Sequence, residues 1–237
     1  MEQQFDLSDF VNADLLTGNF MPNTFAHAFS TPEITLPEPR KELSLVTVRC
    51  DLLDAKPPIW RRLELRSDVT LDVLHVILQV SMGWTGYHLH QFSEPNPQGR
   101  WGTHFLAIED EDGEGTPEES VQLNQVLREV GDRILYIYDF GDDWHHRIKV
   151  EKIEPASDAT PLARCVGGRK ACPVEDSGGA WMWNKVAQSL REDPTRDKMI
   201  LNEDLEDYVD WLPEDFDPDE FDLQETNEVI DDILSGK

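Results

Sequence analysis

The chain is predicted to fold as an α+β domain with a mainly antiparallel sheet, and three features carry that expectation. Residues 43–53, "LSLVTVRCDLL", alternate with period two, and "IWRRLEL" (59–65) follows across a proline break, as in two neighbouring strands. Residues 71–82 then switch to the spacing of a helix, and two more strand-like stretches follow. The C-terminal third reads as helices rather than strands, so the order strand-strand-helix-strand-strand with a helical end is that of α+β folds.

Taken in order, residues 1–40 show no sustained period and carry prolines at 32, 37 and 39; they are expected to form a flexible N-terminal arm with a short helix around 5–16. Residues 41–237 are expected to form one domain. In the first strand Val46, Val48 and Cys50 share one side and Leu45, Thr47 and Arg49 the other. Asp68 or Thr70 is placed to cap a helix with Leu71, Leu74, Ile77, Leu78 and Val80 on its buried stripe, and Gly83 suits the left-handed residue after its end. Strands are expected at 88–94 and 101–108, an acidic loop at 109–120 and a helix at 122–131. Further helices are expected from Gly178-Gly179 onward, at 202–212 and at 216–234.

Between them lies "YIYDFGDDWHHRIKV" (136–150), which reads as a hairpin. Strands 134–140 and 144–150 joined by three residues would pair Phe140 with Trp144, Tyr138 with His146 and Tyr136 with Ile148. Asp143 tolerates the left-handed conformation that such a loop needs. The letters "DFG" also occur in kinases, but no Gly-rich loop, strand lysine or catalytic-loop motif accompanies them.

The net charge of −27 is unevenly placed: −6 in residues 1–39, −7 in 40–198 and −14 in 199–237. No basic face is available to displace counterions from phosphates, so direct nucleic-acid binding is not expected; a basic protein partner or a DNA-mimicking role is compatible with the charge. No secretory leader or membrane-length apolar run is seen, and three cysteines (Cys50, Cys165, Cys172) read as reduced thiols, so a cytoplasmic protein without membrane partners is expected.

Candidate chemistry is concentrated in imidazoles and carboxylates. His88 and His90 lie two residues apart on a predicted strand, and His145 and His146 sit in the hairpin, so all four are candidate metal ligands. Asp139, Asp142, Asp143 and His145, with Glu175 and Asp176 of "PVEDSGG", are the candidate catalytic groups of a metal-assisted hydrolase. Trp84, His88, His90, Tyr138 and Trp144 are the candidate binding residues. Each group also has a structural reading: aromatic cross-strand pairs, an Asp139–His145 ion pair, and helix capping by Glu175 and Asp176. Trp181, Trp183 and Trp211 are expected in helix packing. No organic cofactor is predicted; a divalent metal is the candidate. Cys165-x6-Cys172 does not have zinc-finger spacing, and no G-x-S-x-G elbow exists.

The blocks "PPIWRRLEL", "LHVILQVSMGW", "HLHQF", "YDFGDDWHHRI", "GGRKACPVEDSGG" and "WLPEDFDPDEFDL" together resemble the plasmid pRiA4b ORF-3-like family, also called transposon-passenger TnpR-like proteins, over about residues 43–223. The resemblance implies a bacterial or mobile-element α+β domain and carries no mechanism with it. "WMW" after "GGA" and the second imidazole, His146, depart from the family pattern. A resolvase needs clustered arginines at a scissile phosphate and a basic surface, and this chain has neither. The leading expectation is a protein-binding or regulatory module; the alternatives are the metal-dependent hydrolase and the acidic DNA mimic.

Overall fold

The computed structural model describes residues 35–95, 102–107 and 116–235. The expected short helix at 5–16 and most of the acidic loop lie outside them. Among the described residues seven strands form one sheet: β1 (Ser44–Leu52), β2 (Ile59–Arg66), β3 (His90–Pro95), β4 (Gly102–Ala107), β5 (Arg133–Tyr138), β6 (Trp144–Pro155) and β7 (Ala163–Arg169). Their order is β4-β3-β5-β6-β1-β2-β7, with every pairing antiparallel. The α+β expectation holds.

Alternation decides which face is covered. Val46, Val48 and Cys50 of β1, Leu63 and Leu65 of β2, and Tyr136, Tyr138, Trp144, Ile148 and Val150 of the hairpin are all buried. Helix α1 (Leu71–Met82) lays Leu71, Leu74, Ile77 and Leu78 into this core, and α3 (Gly179–Glu192) adds Trp183, Val186 and Leu190. α1 ends at Gly83, φ 77°, as its sequence predicts; Asp68 does not cap it but pairs with Arg66 at 2.7 Å. The three cysteines are buried and free.

The structure corrects several local expectations. Residues 163–169 form β7, a strand hidden in the sequence by two glycines and two arginines; it docks on β2 across a register shift between Arg62 and Leu63. The helix expected at 122–131 is one turn, α2 (Leu123–Val126), because the Asp132 carboxylate accepts the N–H groups of Arg128 and Glu129 at 2.8 Å each and turns the chain. The helix expected at 202–212 is shortened to α5 (Asp207–Trp211), and a separate helical turn, α4 (Asp197–Ile200), precedes it. The final helix, α6 (Leu223–Leu234), starts only where Asp222 accepts the N–H groups of Gln224 and Glu225. Trp183 is core, but Trp181 is exposed beneath the Lys185 ammonium.

Gly168 of β7 is required by what covers it. A Cβ there would lie 2.4 Å from the Phe221 ring, whose other role is to stack on the buried Arg61 guanidinium at 4.0 Å. Gly168→Ala is expected to cost about 1–3 kcal/mol, as overpacking does, read as a lower urea midpoint with an unchanged slope.

Candidate functional site

One end of the sheet gathers the hairpin tip, the approach to β3 and the loop before α3. Antiparallel pairing of His90 with Tyr138 sets the first two side by side, and the Asp139 N–H donates to Leu89 O at 2.8 Å. The third is tied in by Trp84 Nε1 donating to Pro173 O (2.7 Å) and by the Gly178 N–H donating to Asp142 Oδ2 (3.0 Å).

The hairpin itself differs from the expected register. Tyr138 pairs with Trp144 and Tyr136 with His146, so the loop is five residues, 139–143, and Phe140 is exposed at its tip. The faces are nevertheless those expected, because a shift of two residues on one strand preserves alternation. The longer loop is held by the Asp139 carboxylate, which accepts the Gly141 N–H at 2.9 Å, and by Asp139 O, which accepts the Asp143 N–H at 2.6 Å.

Within this junction His88, Asp139 and Asp176 converge, with one ligand atom of each within 4.8 Å of the others. Each carboxylate is anchored by one oxygen and turns the other to the imidazole. Asp139 Oδ1 takes the Gly141 N–H, and Oδ2 lies 3.7 Å from His88 Nε2. Asp176 Oδ2 takes the Tyr87 hydroxyl at 2.8 Å, and Oδ1 lies 3.2 Å from the same nitrogen. His88 Nε2 is nonetheless buried without a well-aligned hydrogen bond. Asp139, Asp143 and Asp176 all adopt positive φ, 57°, 60° and 60°, a concentration of unfavourable backbone in one place.

The surrounding groups have separable roles. Glu175 is saturated: Oε1 accepts the Tyr138 hydroxyl, and Oε2 accepts Thr85 N–H (3.0 Å) and Oγ1–H (2.7 Å). Burial pushes the Tyr138 phenol pKa upward, with the Glu175 bond adding to it; the bond to Asp176 pushes Tyr87 up to about 12. Asp142 is raised from the usual carboxylate range, first by burial and then by Asp139 and Asp176, although the Gly178 and Gly179 N–H groups oppose the shift.

The remaining candidates lie elsewhere. His145 pairs with Asp143 at 2.9 Å, on the face of β6 opposite Trp144, rather than with Asp139. His90 pairs with Glu118 at 2.9 Å and stacks on His75, ring centroids 3.5 Å apart. His146 is fully buried against Tyr136 O and Trp84, while Trp84 and Trp144 are core residues. Sequence reasoning missed Tyr87 and Thr85; Tyr87 stands next to a candidate ligand, but nothing in its spacing distinguishes it. A groove lined by Leu36, Pro37, Glu94, Gln125, Asp132 and Ile134 shares no residue with the cluster.

Comparison with known proteins places this architecture. An uncharacterized protein, y4hQ, from Sinorhizobium fredii is 29% identical over 197 residues, covering 81% of this chain and 93% of its own. A crystal structure of a protein of unknown function, MM3350 from Methanosarcina mazei Go1, superposes with a TM-score of 0.64 at 32% identity, over 78% of this chain and 97% of that one. Residues 44–225 match the plasmid pRiA4b ORF-3-like protein family, so the span expected from the quoted blocks is confirmed and the chain belongs to that family.

Proposed function

We propose that the junction of His88, Asp139 and Asp176 binds a divalent cation and that the protein is a metal-dependent hydrolase. The carrying observation is the orientation of the three side chains: two carboxylates, each pinned by one oxygen, present the other to an imidazole nitrogen that is buried without a hydrogen bond. An ion of the Mn2+ or Zn2+ class suits one imidazole with two carboxylates, and three protein ligands leave coordination positions for water and substrate. Asp142, in the same loop as Asp139 and raised from the usual carboxylate range by burial, is the group suited to take the proton of an attacking water.

The test is metal uptake by the full chain after stripping with chelator, followed by calorimetric titration with Mn2+ and with Zn2+. One site per chain is expected. His88→Ala and Asp139→Asn are each expected to weaken it at least 100-fold while remaining folded. The Asp143→Ala, His145→Ala double variant, whose side chains pair with one another, is expected to bind as the parent does. Equal uptake by the His88 and Asp139 variants, or none by the parent, would sink the proposal.

A protein-binding role is the second reading, favoured by Ile200, Leu201 and Trp211, which are exposed amid the acids of residues 199–237.

A further inference from the structure

Three chain neighbours of His88 and Asp139 are apolar or aromatic and turned to solvent. Tyr87 and Leu89 flank His88, and Phe140 follows Asp139; they are 64%, 72% and 48% exposed. The Asp139 N–H bond to Leu89 O puts Leu89 and Phe140 on adjoining backbone, and the Tyr87 hydroxyl reaches Asp176. The acid cluster therefore has an apolar lip on the side of His88 and Asp139. Exposed apolar groups immediately beside a polar cluster mark a surface that another molecule covers.

The charge of the site limits what that molecule is. Among the described residues, no Lys or Arg forms an ion pair with Asp139, Asp142, Asp143, Glu175 or Asp176; the ion pairs involving Lys and Arg lie elsewhere. Phosphoryl transfer places charge on the equatorial oxygens, and sites built for it hold that charge with cationic side chains as well as metal. Here one divalent ion would leave the five carboxylates in excess, within a chain of net charge −27. A phosphoester is repelled both at a distance and at the site.

Resting on the metal-site reading above, we propose that the substrate is an amide or peptide bond beside an apolar side chain, in a molecule that is neutral or cationic overall. Leu89, Phe140 and the Tyr87 ring cover the apolar side chain, and His88, Asp139 and Asp176 hold the cation that polarises the carbonyl. Water adds through its oxygen to the carbonyl carbon, and its proton passes to Asp142. The C–N bond then breaks, and the amine departs with that proton. Amide and water become acid and amine, with no change in oxidation state.

The test uses full-length protein titrated with Mn2+ and then assayed on leucine p-nitroanilide and p-nitrophenyl phosphate. Stoichiometric binding, with turnover of the anilide and at least 100-fold lower kcat/KM on the phosphate, is expected. A Leu89→Ser, Phe140→Ser double variant is expected to keep its Mn2+ affinity and raise KM for the anilide at least ten-fold. If Mn2+ binds but the phosphate is the better substrate, neither compound is cleaved, or KM is unmoved, the substrate proposal is overturned while the metal site stands. If Mn2+ does not bind, both readings fall together.

Discussion

Gly179→Ala should lower the stability of the protein by about 3 kcal/mol, a loss of roughly 6–12 °C in Tm for a domain of this size. Two costs add. Gly179 has φ 73°, a conformation that costs a residue with a Cβ roughly 1–2 kcal/mol. The new Cβ would also lie 2.5 Å from Asp142 O, a backbone atom that cannot swing aside. Relief requires the 139–143 loop to move away from α3, which breaks the Gly178 N–H bond to Asp142 and separates Asp139 from Asp176. Stability and metal uptake should therefore fall together. Gly83→Ala separates the two costs, because Gly83 has φ 77° but nothing within 4 Å of the added carbon. It should lose only about 1–2 kcal/mol and keep metal binding. Equal losses in thermal melts of the two variants would show that the close approach of Asp142 contributes nothing.

The same contact shows how far the sequence could be read. Alternation and helical spacing place the inward residues correctly on β1, β2, α1 and the hairpin, because burying one face is a local property of the pattern. Register is not. Pairing Trp144 with Phe140 or with Tyr138 buries the same face, and the choice between them is made by Leu89 O, a partner that only the fold brings near, together with the Asp139 carboxylate's local bond to the Gly141 N–H. β7 is likewise invisible locally, since Gly168 makes sense only beneath Phe221. At the candidate site, the residue types were legible and the selection among them was not. His88 and Asp176 are separated by 88 positions, and His145 looks as eligible as His88 until its strand face is known. Glu175 and Asp176 are adjacent in sequence, yet one is saturated by Tyr138 and Thr85 and the other faces His88.

Buried histidines make acid the second large perturbation. Burial lowers His75 and His146 to about 3 each, His75 further by the neighbouring His90 and His146 against the opposing bonds of backbone carbonyls. His75 Nδ1 lies 2.8 Å from the Tyr136 hydroxyl, which also accepts from Gln79 Nε2 at 2.7 Å; the hydroxyl proton is then directed at an imidazole that must be neutral to receive it. In the unfolded chain both rings titrate near 6.5. Between about 6.5 and about 3 the unfolded state therefore binds two protons that the native state refuses, so stability rises with pH across that window and is lost as pH falls through it. Each ring contributes about 1.4 kcal/mol per pH unit, or roughly 4 kcal/mol for the pair by pH 5. Asp142 works in the opposite sense, since a raised carboxyl gains stability on acidification, but it is one partly solvated group against two buried rings. Urea midpoints measured from pH 7.5 to 5 should fall steeply, and His146→Gln, whose amide can still donate to Tyr136 O, should about halve the slope. A midpoint that holds or rises toward pH 5 would mean that both imidazoles accept protons in the native protein, and with them a core more open to water than the packing of Trp84, Tyr136 and Trp144 around His146 allows.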